Sequence, residues 1–413
     1  FHIPQGISYC NRNFSYKDEK ITTLPGLYLT SATIGYYFQC NTYNLRFVNL
    51  IASCINLILL SSMLNFVYGH NSNGHLKIVM QGLNLAILPP LYFFSHVYYT
   101  DTISLLFLLL FSRLCIVNKS KWLIFVIGIC SVIMRQTNVV WVAMVFGHKI
   151  LDILIKSSRV YGNRYLSNTQ LSRRSRIVDE IDSSKLRRYY GIVDLVILSA
   201  ILTSFAAFLY VNGSIVVGDK RAHQITINLP QMLYFLLFYG VFGLPYVLAK
   251  LYSTIKLMYN KKLNVFIFSI LMAVIVHFNT ITHPYLLADN RHYTFYIWNR
   301  WFGKYDFAIY ATIPIYIFLL FSLYDNLRDQ NCISFLFPYT ISFFLAVSLQ
   351  RLVEIRYFLV PFIILRLRFI RPSIEIVMME FIWYLMINGI TFYLFFTKEI
   401  IWKDFNDIQR IIW

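Results

Sequence analysis

The run FVNLIASCINLILLSSMLNFV at residues 47–67 carries no charged side chain. It is long enough to cross a bilayer core of about 30 Å as one helix. Similar apolar runs recur near 78–99, 102–117, 191–211, 229–249, 263–281, 306–324, 333–350, 353–370 and 374–397. Two shorter ones, 122–134 and 138–155, flank Arg135-Gln136-Thr137-Asn138 and read as a hairpin of helices. Because a lipid-embedded backbone must satisfy its own hydrogen bonds, the pattern predicts an all-α polytopic membrane protein with about a dozen transmembrane helices.

Composition agrees. Of 413 residues, 58% are hydrophobic and 14% charged, with a mean hydropathy of +0.57, whereas soluble domains are about a quarter charged. A soluble enzyme, a disordered tail and a collagen are thereby excluded. Cys10, Cys40, Cys54, Cys115, Cys130 and Cys332 form no CxxC pair and no metal-ligand spacing, so they say little about disulfides and nothing about a metal. The net charge of +18 would suggest nucleic acid in a soluble chain. Here it marks topology instead, and no nucleic-acid partner is expected.

Residues 156–190 hold nine Lys and Arg, from Lys156 to Arg188, against Asp179, Glu180 and Asp182, and read as a basic cytosolic loop. Counting spans outward makes 250–262 and the turn with Arg366, Arg368 and Arg371 cytosolic too. The same count gathers residues 1–46, Thr100-Asp101, 135–138, 212–228, 282–305 and 351–356 on the other side. The expected organisation is a first luminal loop with membrane-surface helices (1–46), a transmembrane core (47–155), the cytosolic loop, helices over 191–397 with luminal loops 212–228 and 282–305, and a C-terminal tail (398–413). Phe1, with no leading apolar segment before it, reads as mid-protein, so a preceding helix is expected to be missing.

The ionisable strings on that second face are the candidate site. Asp18 lies just before the helix-start signal Thr22-Thr23-Leu24-Pro25 and reads as a general base near a helix N-terminus or as a solvated loop acid. Asp101 reads as an N-cap or a substrate contact. Arg135, costly at membrane depth, marks a pathway or awaits an acid from a neighbouring span. Asp219, Lys220, Arg221 and His223 suit a phosphate and its sugar, or a basic turn among lipid headgroups. Asp289-Asn290-Arg291-His292, inside HPYLLADNRHYTFY, interleaves polar groups with aromatics as a sugar and a phosphate jointly require; an aromatic belt alone would not explain it. Glu354 and Arg356 open a span, paired with each other or anchoring a lipid phosphate; their i, i+2 spacing on a helix favours other partners.

The strings FHIPQ…YC, ITTLPGLY, LYFF…YYTD, RQTN…W, VNG.IV.GD…H…PQ…YF, HPYLLADNRHYTFY.W, Q.L.E.RYF…P and DIQR..W run in order from residue 1 to residue 413. In them the chain resembles the endoplasmic-reticulum alpha-1,2-glucosyltransferases that use dolichyl-phosphate-glucose. The resemblance implies a C-type glycosyltransferase fold and transfer of the terminal glucose onto a diglucosylated dolichyl-pyrophosphate-linked oligosaccharide, in a multi-pass endoplasmic-reticulum protein with a luminal active site. It implies a lipid-linked donor, an oligosaccharide acceptor, surrounding membrane lipids, and one inverting displacement with no cofactor beyond the donor substrate. Family members carry an acidic pair just before the Phe-His that matches Phe1-His2, so the base is expected either there or at Asp18, which matches a family aspartate before ITT.

No acid pair suited to clamping a divalent ion is present, so no metal is expected. The luminal acids form a short set: Asp18, Glu19, Asp101, Asp219, Asp289, Asp306, Glu354, Glu399, Asp404 and Asp407. A transporter would place charges near the midplane of several spans. Here they cluster at one face, which ranks transport, or a regulatory membrane protein without activity, below transfer.

Overall fold

The computed structural model describes residues 2–16, 18, 21–68, 74–117, 120–166, 174–218, 226–281, 287–305, 307–328, 333–369, 372–402 and 408–413, with backbone alone over 156–190. Two short helices come first, α1 (His2–Cys10) and α2 (Gly26–Ile34). The long α3 (Thr42–Tyr68) follows, then α4 (His75–Ala86) and α5 (Pro89–Ser95). Next come α6 (Thr100–Val117), α7 (Lys121–Met134), α8 (Asn138–Leu166) and α9 (Arg174–Asn212). After them lie α10 (Pro230–Phe242), α11 (Leu244–Ala249), α12 (Leu251–Asn260), α13 (Lys262–Asn279) and α14 (Tyr293–Ile297). The chain closes with α15 (Ala308–Ala311), α16 (Ile313–Leu327), α17 (Ile333–Ser348), α18 (Leu359–Arg366), α19 (Ile374–Thr397) and the two-stranded pair β1 (Glu399–Ile400) and β2 (Gln409–Arg410).

Among the described residues, seven helices are long and apolar enough to cross a membrane, and α4 with α5 makes an eighth candidate bent by 70°. Three shorter apolar helices, α7, α10 and α17, supplement them. The fold class is therefore the expected one: an all-α membrane bundle. The bend has a local cause, since Pro89 and Pro90 have no N–H to continue the ladder of the preceding turn.

The core is aromatic. Phe235 and Phe238 both pack on Phe358 and reach Phe343 and Phe362 respectively, with ring centroids 4.6–6.0 Å apart. A buried polar node crosses it that span counting did not foresee. Arg366, placed by its charge in a cytosolic turn, is fully buried and donates through Nε and Nη2 to both oxygens of Glu380 at 2.9 and 2.8 Å. Tyr246 and Asn84 donate to Glu380 Oε2 at 2.9 and 2.8 Å, so the node joins α4, α11, α18 and α19. A buried charge is tolerated where its lone pairs are filled in this way.

A second difference concerns the cysteines, which the sequence left undecided. Cys10 and Cys40 form a disulfide that closes the first loop from the end of α1 to the approach of α3. Beneath it, Gly26 at the start of α2 lies against the end of α7. An added Cβ there would come within 2.7 Å of the Ile133 carbonyl and 2.8 Å of Met134 Cα, both backbone atoms that cannot swing aside. Overpacking of this kind typically costs about 1–3 kcal/mol. We expect Gly26→Val to lower the melting temperature in detergent. Gly389→Ala, in open space on α19, should leave it unchanged or raise it slightly.

Candidate functional site at the disulfide-bearing end of the bundle

The described parts of the polar segments assigned by span counting to one face meet at one end of the bundle, the end that holds the Cys10–Cys40 disulfide. The Gln136 side chain donates to the Thr22 carbonyl at 3.0 Å, and the Val217 N–H donates to the same oxygen at 3.2 Å. Three separate segments thereby meet at Thr22. Asn228 Nδ2 donates to the Arg351 carbonyl at 3.4 Å, and Gln231 Nε2 to the Gln350 and Leu352 carbonyls. These two amides, at the start of α10, hold the strand-like approach to Glu354.

The approach explains the geometry of the next pair. Glu354 has extended backbone (φ −129, ψ 134) and Ile355–Phe358 wind as a 3-10 turn, so residues two apart face each other. Arg356 Nε reaches Glu354 Oε2 directly, contrary to the expectation drawn from α-helical spacing. Its Nη1 donates to the Tyr99 hydroxyl, and its guanidinium lies over the Tyr99 ring, 4.8 Å from the centroid. Burial alone would raise the Glu354 carboxyl, but the charge and hydrogen bond of Arg356, with His292 and Arg135 further off, hold it below the usual range. Burial pulls the Arg356 guanidinium down, and Glu354 more than offsets it, so Arg356 stays cationic.

The second pair lies alongside. Arg135, the extended residue between α7 and α8, binds Asp101 in the first turn of α6 and stacks 5.7 Å from the Tyr357 centroid. Arg135 thus finds an acid on a neighbouring span. Asp101 is 5% exposed, and its Oδ2 takes no hydrogen bond among the described residues, which leaves one buried acceptor for a hydroxyl.

The third pair belongs to the loop before α14. Asp289 accepts from Arg291 Nε at 2.9 Å and Nη2 at 2.6 Å, with His292 Nε2 at 3.6 Å. Burial raises the Asp289 carboxyl, and the bonds from Arg291 with the charge of His292 outweigh it and hold it low. Asn290 accepts from Trp402 Nε1 at 2.7 Å, Arg291 stacks 4.5 Å from the Trp402 centroid, and Ile412 N–H donates to the Arg291 carbonyl at 2.8 Å. The C-terminal tail is therefore a wall of the site. Its own sequence signal was the DIQR..W string, with no periodicity to reveal the contact.

His2 was read only as part of a string, yet it is central. Its Nδ1 bonds the Tyr28 hydroxyl, and its ring stands edge-on to Tyr99 with centroids 4.4 Å apart. Burial, then the positive charge of Arg356, pushes it down to about 3, so it is neutral. Asp18 donates its backbone N–H to Gln5 Oε1 at 3.2 Å, and its charge is felt at Tyr28. Asp219, Lys220, Arg221 and His223 lie outside the described residues, as do Glu19, Asp306, Asp404 and Asp407.

His2 sets a pH dependence. The unfolded chain takes a proton on this ring near 6.5, and the folded chain only near 3. Falling pH therefore favours the unfolded state across that window. Thermal melts between pH 7 and 5.5 should lose stability with a shallower slope in His2→Gln than in the wild type.

A second expectation concerns the pair at 354–356. The pair is half-buried, so removing one partner leaves a poorly solvated lone charge at a cost below the about 3–5 kcal/mol of a fully buried pair. Arg356→Gln should accordingly reduce folded protein more than the double variant Glu354→Gln/Arg356→Gln does, as read by size-exclusion chromatography in detergent.

The sequence was compared with those of known proteins. The model of the DIE2/ALG10 family matches residues 1–367. A Drosophila melanogaster protein named Dol-P-Glc:Glc(2)Man(9)GlcNAc(2)-PP-Dol alpha-1,2-glucosyltransferase is 38% identical, over 100% of this chain and 92% of its own length. Proteins of the same name from Homo sapiens and Arabidopsis thaliana are 32% and 28% identical over 100% of this chain, and over 92% and 94% of their own lengths. No solved structure matches.

Proposed function

The chain belongs to the DIE2/ALG10 family, and on that premise we propose that it transfers glucose from dolichyl-phosphate-glucose, in alpha-1,2 linkage, onto a diglucosylated dolichyl-pyrophosphate-linked oligosaccharide. The observation that carries the reading is the meeting of segments from residue 2 to residue 413 at one polar end of an apolar bundle. A transporter would need such groups along the midplane. The proposed site is luminal in the endoplasmic reticulum. The Cys10–Cys40 disulfide supports that placement, because disulfides persist in oxidising compartments and are rare in the cytosol.

In this reading the acceptor hydroxyl loses its proton to a carboxylate and its oxygen attacks the anomeric carbon. The bond from that carbon to dolichyl phosphate breaks, and the phosphate leaves as an anion. Asp101, Glu354 and Asp289 are each engaged by an arginine, which weakens them as bases. Asp18, whose N–H bonds Gln5 and whose charge is felt at Tyr28 beside the His2–Tyr28 contact, is the base we assign among the acids of this chain. Arg356, Arg135, Arg291 and His292 surround the leaving phosphate with fixed donors, aided by Lys220, Arg221 and His223, and no metal is required in this scheme. Asp219, Asn290 and the open oxygen of Asp101 would take sugar hydroxyls.

The test is glucose transfer in membranes supplied with dolichyl-phosphate-glucose and the diglucosylated lipid-linked acceptor. Asp18→Asn should lower kcat by about 10²-fold or more at unchanged protein level, with KM for the donor little altered. Wild-type turnover by that variant would remove Asp18 from the role, and absence of transfer by the wild type would remove the activity itself.

A further inference from the structure

Three Asn-x-Ser strings with a non-proline centre occur in the chain: Asn13-Phe14-Ser15, Asn118-Lys119-Ser120 and Asn212-Gly213-Ser214. Such strings accept N-linked glycans where the chain faces the secretory lumen and the asparagine is accessible. We propose that Asn13 is an N-glycosylation site of this protein, and that Asn118 and Asn212 are not. The proposal rests on the luminal placement given above.

The structure separates the three. Residues 11–16 are exposed without interruption, and they follow the disulfide-bonded Cys10 directly. The turn is firmly built. Asn13 N–H donates to the Ser8 carbonyl at 2.9 Å, and Ser8 Oγ donates back to the Asn13 carbonyl at 2.9 Å. Phe14 packs edge-on against Tyr9, and the Ser15 N–H donates to Asn13 Oδ1 at 3.3 Å. Asn13 Nδ2, the atom that would be modified, donates to no described group and points from an exposed turn.

Asn212 is the opposite case. It ends the span Gly191–Asn212, where the chain leaves the apolar layer. Its Nδ2 is already committed to the Ser214 and Val216 carbonyls at 2.7 and 2.9 Å, around a Gly213 held at φ +68. Asn118 lies outside the described residues. It follows α6, whose first turn is in the site, so the helix carries the chain toward the opposite end before Asn118 is reached.

The chemistry is a glycosyl transfer to the amide. Asn13 Nδ2 forms a bond to the anomeric carbon of the first sugar of a lipid-pyrophosphate-linked oligosaccharide. The bond from that carbon to the pyrophosphate oxygen breaks, the dolichyl pyrophosphate leaves with the electron pair, and the nitrogen gives up one proton. The co-reactant belongs to the same chemical class as the product of the reaction proposed above. Catalysis falls to the oligosaccharyltransferase of the lumen.

Full-length protein in microsomes, treated or not with peptide N-glycosidase, tests this by electrophoretic mobility. Wild type, Asn118→Gln, Asn212→Gln and Ser15→Thr should each shift by one glycan on digestion. Asn13→Gln and Ser15→Ala should run undigested where the digested wild type runs. No shift in the wild type, or a shift retained in Asn13→Gln, would overturn the proposal. Thiol labelling before and after reduction separates the two failures. An unglycosylated chain whose Cys10 and Cys40 react only after reduction keeps the luminal reading and loses only this site. A glycan that disappears in Asn118→Gln would invert the orientation and take the luminal placement with it.

Discussion

The ion pair of Glu354 and Arg356 can stand at the mouth of an apolar bundle only because every neighbouring element helps to fill its bonding capacity. A buried carboxylate and guanidinium lose hydration that their mutual attraction alone does not restore. Tyr99 from the approach to α6 accepts from Arg356, and Tyr99 and Tyr357 place their ring faces against its cation. Asn228 and Gln231 fix the carbonyls at 350–352, so the backbone delivers Glu354 in an extended conformation. These partners come from the approach to α6, the start of α10 and the 3-10 turn of Arg356 itself. The packing of the helix ends and the geometry of the pair are therefore one problem with one solution.

The node at Arg366 and Glu380 solves the same problem at the other end, with a different outcome for function. Both residues are fully buried, with Tyr246 and Asn84 bonded to Glu380, so neither reaches the surface where a substrate could meet it, although Arg366 Nη1 takes no hydrogen bond among the described residues. At the site end the difference is access: Arg356, Arg135 and Arg291 remain partly exposed, and Asp101 keeps an unbonded oxygen beside them. A closed pair joins helices. An incompletely closed set of pairs is what a ligand with its own hydroxyls and phosphate can complete.

The apolar helices and the meeting of the described polar segments at one end were legible because hydropathy and charge act along the chain, where a sequence can be read directly. What stayed hidden was set by local backbone or by distant contacts. The pairing of residues 354 and 356 reversed the helical-spacing inference because a 3-10 turn follows an extended residue there. The burial of Arg366 was not legible because its partner, Glu380, lies on another helix, α19. Cys10 and Cys40 follow no motif, and their pairing depends on where α1 and α2 return the chain. The docking of residues 408–413 on Arg291 and His292 leaves no periodic trace at all.

Charge bookkeeping narrows how an anionic leaving group is held. Asp101 with Arg135, Glu354 with Arg356 and Asp289 with Arg291 are each neutral, so these pairs orient a phosphate through fixed donors but do not by themselves attract it. Net attraction needs a surplus cation, and the string Asp219-Lys220-Arg221-Ala222-His223 carries one even with His223 neutral. That string follows Val217, whose N–H is tied to the Thr22 carbonyl at 3.2 Å, only a few residues from Asp18. In the proposed reaction the two demands are thus divided: three internally compensated pairs set orientation, and the surplus charge of the basic string that follows Val217 in the sequence supplies the field that draws the donor's phosphate in.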